Sequence, residues 1–584
     1  MLNIEQSVND KFPRFAGTKP LLKKPTLSLL RKLTHEQEIN DFLSNNEGLK
    51  GIDFIDQIFD YFNFNYSVSS RDRNNIPAQG RVVIIANHPI GSLDGLALLH
   101  MVRGIRSDVR IVANDMLMAF EPLHNVFLPL DNMTRGAYRK SYKAILAALN
   151  NEQAVIIFPA GEVSRATPKG IRDGAWHAGF LHFARKTNAP VLPICIDAKN
   201  SLLFYSASML YKPFGTALLA REMFKKQSTE IRMRIGEPIP ATELEAKNLA
   251  DKALIRRLKK HLYKLRKKRD AQFVTERTIA HPEERSALKK EFSLAQQIGT
   301  TSDNNKIFLC NYADHPTILR EIGRLREHTF RKVGEGTGAR RDLDKYDHHY
   351  LHLVLWDESN LTIAGAYRIA DCGRILQQYG AEGLYTNELF TFHPNLFPYL
   401  EQGVELGRSF VHPDYWGKAS LDYLWQGLGA YLTHNPQVRY VLGPVSMSAT
   451  YPKNLRDLAV FFYQRYFSTA QPMALAPHPH VINQEDHERL ICEFRDKEPD
   501  DAMRYVQQQF SAAGHKFPTL YKQYAALYEA GGYSLLAFSV DSDFGNCLDG
   551  LFMGDLTKMK ATKKRRYFGE SLRASEAQGL MSDA

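Results

Sequence analysis

Apolar residues between positions 81 and 196 occur in short runs that are separated by stretches of helical spacing. The runs read RVVIIA, VRIVA, AVIIF and APVLPICI. Runs of this length that are apolar throughout are typical of strands covered by helices on both faces. The sequence therefore predicts an α/β domain over residues 51–275, preceded by a polar, largely helical region over residues 1–50.

A second α/β pattern begins near residue 306. It runs from a predicted strand, KIFLCNY, through a predicted helix, TILREIGRLREHTF, to a strand–turn–strand pattern, HLVLWDESNLTIAGAYRIA. Two further predicted strands, VELGRSFV and RYVLGPVSM, flank a segment from Leu421 to Leu432 whose apolar residues have helical spacing. We assign this second α/β domain to residues 306–556.

The remaining segments are polar. Residues 276–305 are predicted to be a linker, because the run AQQIGTTSDNN at their end is rich in Gly, Ser, Thr and Asn and shows no periodicity. Residues 557–584 include the basic run KMKATKKRRY and are predicted to be a flexible tail.

Composition narrows the choice of partners. The 584 residues carry 75 Lys and Arg against 64 Asp and Glu, a formal net charge of +11. A basic surface favours an acidic partner, such as anionic lipid headgroups, nucleic acid or an acidic carrier protein. The five cysteines are scattered and never in CxxC spacing, which fits a reducing cytoplasm and argues against disulfides or a zinc site. We expect no bound metal.

Any contact with a membrane is expected to be peripheral. No apolar run reaches the roughly 18 residues that cross a bilayer, and the first residues lack a basic stretch followed by an apolar one. In the helical pattern over 252–270, Leu254, Leu258 and Leu262 line one side among many Lys and Arg. This helix either lies on an anionic membrane or packs its leucines on the domain, and both interpretations stay open. Nucleic acid is not expected, since the stretch has no aromatic stacking series.

Candidate chemistry begins in the stretch ANHPIGSLDG, residues 86–95, which follows a predicted strand. Histidine titrates near neutral pH, so His88 is a candidate general base that removes a proton from an attacking hydroxyl. Asp94 is a candidate for the carboxylate that orients the imidazole. The structural alternative is that Asp94 or Ser92 caps the following helix and that His88 is an ordinary turn residue.

Two more motifs strengthen the catalytic interpretation. FPAGEVSR (158–165) and the strand APVLPI (189–194) follow the Asn-His…Asp block, and together they resemble the glycerophosphate/lysophospholipid acyltransferase family. The resemblance implies a glycerophosphate-acyltransferase-like α/β domain with His88 as general base and Asp94 as its orienting partner. Two departures from the family pattern stand out: five residues rather than four separate the pair, and Ala160 takes the place of a glutamate. By this resemblance we place in substrate binding Asn87, Arg135, Gly161, Glu162 and Arg165.

The second half has its own candidate site in VELGRSFVHPDYWGK. This stretch and its neighbouring strands resemble the branch of the GNAT fold that takes acyl groups from acyl carrier protein. The resemblance implies that Glu405 orients or deprotonates an acceptor ammonium and that Arg408 binds a carboxylate or the carrier phosphate. Gly417 lies at a strand–helix turn whose backbone N–H groups suit a phosphate. The structural alternative is an ion pair between Glu405 and Arg408.

Strand alternation would place Glu405 and Arg408 on opposite faces, because three positions separate them. A β-bulge at Gly407 would bring both side chains to one cleft.

The two halves in this order resemble the bifunctional ornithine-lipid synthases of bacteria. The resemblance implies that the C-terminal domain transfers a 3-hydroxyacyl group from acyl carrier protein to the α-amine of ornithine. The N-terminal domain would then acylate the new 3-hydroxyl. It also implies no bound cofactor, acyl-acyl carrier protein as donor, an anionic membrane surface as partner, and a peripheral location on the cytoplasmic face of the inner membrane.

Three alternatives stay open. The enzyme can use another amino acid, such as glycine or glutamine. The N-terminal half can acylate a lysophospholipid beside a degenerate GNAT half. Finally, the chain can be a peripheral membrane-binding protein without enzymatic activity.

Overall fold

The computed structural model divides into two compact units, residues 1–281 and 282–584. The described residues are 3–11, 20–114, 120–130, 135–168, 170–201, 204–206, 219, 221–224, 230–245, 249–267, 272–542 and 544–568.

The first unit is built on a seven-stranded sheet with strand order β1-β9-β8-β2-β5-β3-β4. Neighbouring strands are parallel except β8 and β9, which are antiparallel. A short hairpin, β6–β7, lies outside this sheet. The strands are β1 (Asn65–Val68), β2 (Val82–Ala86), β3 (Val109–Asn114), β4 (Phe127–Leu130), β5 (Ala154–Ile157), β6 (Arg165–Thr167), β7 (Gly170–Arg172), β8 (Val191–Asp197) and β9 (Glu230–Ile235).

Helices cover both faces of this sheet, as the apolar runs predict. In β2 the residues are all buried, and they alternate between two separate core clusters: Val82 and Ile84 belong to one, Val83 and Ile85 to the other. A strand buried on both faces needs no polar alternation, which is why these runs are apolar throughout. The helices are Ile4–Lys11, Pro20–Thr34, Glu36–Asn45, Ile52–Phe62, Ser70–Arg73, Ser92–Arg103, Arg135–Asn150, Gly179–Thr187, Ala241–Leu244 and Asp251–Lys264.

The basic helix Asp251–Lys264 packs its leucines into the unit. Leu254, Leu258 and Leu262 are fully buried in the cluster that also contains Phe180. The structure therefore supports the packing interpretation, because the apolar side of this helix is already covered by protein. Among the described helices, none has the length and apolar character that crossing a bilayer requires.

The second unit is built on an eight-stranded sheet with strand order β10-β11-β12-β13-β15-β16-β19-β18. Its pairs are antiparallel except β15 and β16. Two further strands, β14 and β17, form a separate two-stranded antiparallel sheet. The strands are β10 (Gln296–Thr300), β11 (Lys306–Cys310), β12 (Leu351–Asp357), β13 (Thr362–Asp371), β14 (Thr391–Phe392), β15 (Gly403–Val411), β16 (Tyr440–Met447), β17 (Ala474–Leu475), β18 (Tyr533–Asp541) and β19 (Cys547–Asp555).

The helix predicted between β15 and β16 is present as Ser420–His434. It buries Leu424, Trp425 and Leu428 against one face of the sheet. The helices of this unit are Arg285–Phe292, Pro316–Val333, Cys372–Tyr379, Thr386–Leu389, Phe397–Leu400, Ser420–His434, Lys453–Phe467, Gln484–Phe494, Pro499–Ala512 and Thr519–Ala525.

The segment 276–305, predicted to be a linker, contains a helix and an edge strand of the second unit, Arg285–Phe292 and β10. Helix Arg285–Phe292 stacks Phe292 on Trp356 with ring centroids 4.3 Å apart, and β10 pairs with β11 along an antiparallel ladder. The prediction was wrong there because β10 is an edge strand held by backbone hydrogen bonds, which leave no apolar pattern in its side chains.

The predicted flexible tail is also partly structured. Residues 561–568 form a helix in which the Tyr567 hydroxyl donates to Asp422 at 3.0 Å and the ring contacts Trp425. The rest of the tail, from residue 569, lies outside the described residues.

Strands β15 and β16 part after only three paired positions. Their last paired residues are Glu405 and Leu442, after which β15 continues beside β13 and β16 beside β19. At the parting point a Cβ added to Gly443 would lie 2.0 Å from the carbonyl oxygen of Leu406. The absence of a side chain at Gly443 therefore allows the two backbones to approach closely where the strands separate.

We predict that Gly443→Ala lowers the free energy of unfolding of the second unit by about 1–3 kcal/mol, because the added methyl group overlaps the β15 backbone. Gly407→Ala is the matched control, since a Cβ there meets nothing within 4 Å. Urea denaturation followed by tryptophan fluorescence measures both. Equal urea midpoints for Gly443→Ala and Gly407→Ala would contradict the close approach of the two backbones at Gly443.

Candidate active sites

In the first unit, His88 and Asp94 meet at the carboxyl end of β2. The His88 Nδ1 atom lies 2.7 Å from Asp94 Oδ1. Asp94 is fully buried, whereas one fifth of the His88 side chain is exposed. Because an ionised carboxylate only accepts, Nδ1 carries the proton and Nε2 keeps its lone pair. This is the geometry of a base with its orienting partner.

The structural alternative for Asp94 holds at the same time. Its second oxygen accepts the backbone N–H groups of Ile90 at 2.8 Å and Gly91 at 3.3 Å, which caps helix Ser92–Arg103. One carboxylate thus fixes both the turn and the imidazole, so the extra residue between His88 and Asp94 is absorbed in the capped turn.

Burial alone would lower the pKa of His88. The Asp94 carboxylate, through its charge and its hydrogen bond, and the charge of Asp173 outweigh that effect and raise the pKa above its ordinary value. The Phe158 ring stacks on the imidazole with centroids 4.2 Å apart and fixes its plane.

Asp173 is a residue of this site that the sequence analysis missed. It is buried, and its carboxylate accepts the Ser164 hydroxyl at 2.5 Å, the Trp176 indole N–H at 2.9 Å and the His88 backbone N–H at 3.2 Å. Asp173 therefore joins the histidine turn to the FPAGEVSR loop. Asp173 lies outside every motif of the sequence analysis, and its short distance in sequence from FPAGEVSR was the only available signal.

The other predicted residues of the first site divide into three groups. The backbone N–H of Ser164 donates to the His88 carbonyl at 2.7 Å, which brings the loop of Gly161, Glu162 and Arg165 beside the histidine. Gly161 has a φ of +65°, and Glu162 lies 3.8 Å from Arg165.

Asn87 serves the backbone. Its side-chain amide donates to the carbonyl of Ile196 and accepts the N–H of the same residue, at 2.9 and 2.8 Å. It thereby ties the end of β2 to β8. Arg135 begins helix Arg135–Asn150, but its side chain lies outside the described part of the chain.

In the second unit, Glu405 is enclosed. It accepts hydrogen bonds from the Tyr350 hydroxyl at 3.0 Å, the Thr386 hydroxyl at 2.6 Å and the Thr386 backbone N–H at 3.3 Å. Only 1% of the residue is exposed, and burial raises the pKa of its carboxyl group. The predicted Glu405–Arg408 ion pair is absent among these contacts, so Glu405 organises the residues around it instead.

The bulge predicted at Gly407 is present one residue later. Between β13 and β15 the register shifts at Arg408, whose own φ is +48°. The guanidinium lies 4.8 Å from the Tyr385 ring centre and 4.9 Å from that of Phe544. Its closest carboxylates, Asp342 and Asp344, are 3.6 Å away, too far for hydrogen bonds. The bulge thus turns Arg408 to the same side as Glu405.

A buried charge network behind Arg408 was also missed by the sequence analysis. Arg326 donates to Asp347 at 2.8 Å, and Arg368 donates to Asp344 at 2.6 Å, with Asp347 at 3.4 Å. Burial alone would raise the pKa of Asp347, but Arg326 and Arg368 lower it far below the ordinary value. The available signal was an arginine inside the apolar strand β13, where an isolated charge is too costly to bury.

Gly417 lies where the sequence predicted a turn. It has a φ of +77° and is exposed, three residues before helix Ser420–His434 begins.

Comparisons with known proteins agree with this division. A family model described as Acyltransferase matches residues 8–272, and a model described as Acetyltransferase (GNAT) domain matches residues 325–426. The fold and the two sites thus define a two-domain acyltransferase.

Three curated acyltransferases are similar to parts of this chain. Glycine N(alpha)-acyltransferase of Bacteroides thetaiotaomicron is 32% identical over 43% of this chain and 77% of its own length. Lyso-glycine lipid O-acyltransferase of Phocaeicola vulgatus is 28% identical over 41% and 86%, and L-ornithine N(alpha)-acyltransferase of Rhodobacter capsulatus is 27% identical over 43% and 90%. The chain belongs to the acyltransferase family of the Bacteroides thetaiotaomicron relative, and it carries an acyltransferase domain and a GNAT domain in an ornithine-lipid-synthase-like arrangement. The predicted fold class and enzyme class are confirmed, and the non-enzymatic alternative is set aside.

We predict that Asp94→Asn lowers the pKa of His88, because burial is then opposed only by the smaller effect of the Asp173 charge. The pKa is measured by NMR titration of the imidazole. His182→Ala, which changes an exposed residue of the same unit, is the matched control variant. An unchanged His88 titration would contradict the role of Asp94.

Proposed function

We propose that this chain makes a diacylated amino-acid lipid in two steps, with ornithine as the amino acid. The GNAT-like unit transfers a 3-hydroxyacyl group to the α-amine, and the first unit then acylates the 3-hydroxyl. The observation that carries the proposal is the His88–Asp94 contact of 2.7 Å, accompanied in the same chain by the Arg408 site.

In the second step, His88 acts through Nε2. This atom takes the proton of the 3-hydroxyl while the oxygen attacks the carbonyl carbon of an acyl thioester. The new C–O bond forms as the C–S bond breaks, and the imidazolium returns its proton to the leaving thiolate. Asp94 stabilises the imidazolium in between. Asn87, Gly161, Glu162, Arg165 and Arg135 are proposed to hold the acceptor, Asn87 through the position of the turn.

In the first step, Arg408 binds the carboxylate of the amino acid. Its guanidinium is held between two aromatic rings and makes no hydrogen bond to the described residues, so its donors remain for a ligand. Glu405 fixes Tyr350 and Thr386 next to this site. The thioester enters where β15 and β16 part, and the Gly417 turn receives the phosphate of its arm.

The acyl donor is proposed to be acyl carrier protein. The net charge of +11 supports an acidic donor, and the same charge supports a peripheral position on an anionic membrane, at the cytoplasmic face. A second candidate acceptor is glycine, because the relative at 32% identity is a glycine N(alpha)-acyltransferase.

Lipid mass spectrometry in a bacterial host without aminolipids tests the proposal. We predict that the wild type yields a diacyl amino-acid lipid and that His88→Ala accumulates the monoacyl form. Loss of the general base is expected to lower the rate of the second step by about 10²–10⁴-fold. Arg408→Ala is predicted to yield neither lipid. The matched controls are His182→Ala and Arg504→Ala, which change exposed residues.

Full diacyl product from His88→Ala would contradict the first site. The mass of the headgroup identifies the amino acid directly. A glycine headgroup would replace ornithine and keep the two-step chemistry.

A further inference from the structure

N-acylation needs a proton acceptor, because an amino acid enters as an ammonium ion and only the neutral amine attacks a thioester. Glu405 is poorly placed for this task. Three hydrogen bonds already occupy its carboxylate, and nearly none of it is exposed. The acceptor must therefore be sought elsewhere on the same side of the sheet.

Asp549 lies on that side, across the gap between β15 and β16. The evidence is strand alternation: residues adjacent to Glu405, Ser446 and Asp549 pack into the core cluster beneath helix Ser420–His434. Those neighbours are Val404, Leu406, Val445, Met447 and Leu548. Because successive side chains of a strand point to opposite faces, Glu405, Ser446 and Asp549 share the other face.

The surroundings of Asp549 hold one oxygen and leave the second available. Ser446, directly opposite on β16, donates its hydroxyl to Asp549 Oδ1 at 2.6 Å, and the Cys547 thiol lies 3.6 Å from the same atom. The second oxygen, Oδ2, accepts no hydrogen bond from the described residues. Only 2% of the residue is exposed, so this carboxylate is almost fully buried.

A second carboxylate, Glu335, offers an exit for the proton. It follows helix Pro316–Val333 and is partly exposed. Burial, with the charge of Asp549, raises the pKa of Glu335 to about 7, and burial raises that of Asp549 to about 6. A Cβ added to Gly545, in the turn that precedes β19, would lie 3.6 Å from the Glu335 Cα, so Glu335 packs on the turn that leads to Asp549.

Other charged groups also face Asp549. The charge of Asp541 on β18 raises its pKa, whereas the Ser446 hydrogen bond, the Cys547 thiol and the charge of Arg408 lower it. Asp549 also raises the pKa of Tyr385, the residue on which Arg408 stacks. The Phe544 ring, in the turn between β18 and β19, lies 4.9 Å from the Arg408 guanidinium, and the Phe544 carbonyl accepts the N–H of Cys547 at 3.3 Å. The start of β19, the strand that carries Asp549, therefore lies beside Arg408.

We propose that Asp549 is the catalytic base of the N-acylation and that Glu335 passes the proton to solvent; this rests on the proposed function. The acceptor ammonium, held by its carboxylate on Arg408, gives one proton to Asp549. The amine then forms the C–N bond as the C–S bond breaks. The nitrogen loses a second proton, the leaving thiolate becomes a thiol, and one proton in total reaches water through Glu335.

The test uses the full chain and measures each activity separately. N-acylation is assayed with ornithine and acyl-acyl carrier protein, and O-acylation with added monoacyl lipid. Asp549→Asn is expected to lower N-acylation at pH 7 by about 10²–10⁴-fold and to leave O-acylation unchanged. O-acylation by the same sample shows that the variant protein is intact.

The pH dependence distinguishes a base from a structural residue. Without Asp549, the reaction depends on free amine from solution, which rises about tenfold per pH unit below the pKa of the amine. The deficit of Asp549→Asn is therefore expected to shrink steadily from pH 6.5 to 8.5. A deficit that stays constant with pH, or a variant with more than about a third of the wild-type rate, would overturn the proposal.

Ser446→Ala is a second test variant, in which the pH dependence of N-acylation is expected to shift while activity remains. Removing the hydroxyl raises the pKa of Asp549, so the acid limb of the N-acylation profile is expected to move to higher pH. A profile identical to the wild type would count against Asp549 as the titrating group.

Chelation tests whether the same residues bind a metal ion instead. Side-chain atoms of Asp541, Cys547 and Asp549 lie within 4.8 Å of one another, close enough for a metal ion. We expect EDTA to leave N-acylation unchanged, and a loss restored by added zinc would overturn the proposal in favour of a metal site. If the wild type itself acylates no amino acid, the proposed function fails first.

Discussion

Burying carboxyl groups inside an apolar protein is the constraint that shapes both units. Asp94, Asp173, Glu405 and Asp347 are all nearly or fully buried. Moving such groups out of water costs several kcal/mol each unless donors surround them. In the first unit the donors come from a helix N-terminus, a serine and an indole, and in the second from tyrosine, threonine and arginine.

The contacts made by these buried carboxyl groups also hold His88 and Arg408 in position. Asp94 can orient His88 because two backbone N–H groups hold its other oxygen in place. Arg408 can remain without hydrogen bonds because aromatic rings and two carboxylates beyond hydrogen-bond distance stabilise its charge. In each site the residue proposed to contact the substrate is positioned by neighbouring side chains.

Local patterns predicted the parts of the fold that local forces determine. The apolar runs located β2, β5 and β8, and the helical spacing from Leu421 located helix Ser420–His434. His88 and Asp94 were found because they lie only six positions apart, in one capped turn. Asp173, Asp347 and Asp549 could not be found this way, since each also has a partner on a different element: His88, Arg326 and Ser446 respectively. The edge strand β10 was missed for a related reason, because backbone ladders leave no mark on side-chain polarity.

The short helix over residues 561–568 bears on where this protein can be cut or joined to another. Its backbone passes so near Gly429 that an added Cβ there would lie 2.0 Å from the Tyr567 carbonyl oxygen. A protein ended at residue 556, where the sequence pattern places the domain border, would uncover Trp425 and leave Asp422 without its tyrosine partner. Fusion partners and purification tags therefore belong after residue 568.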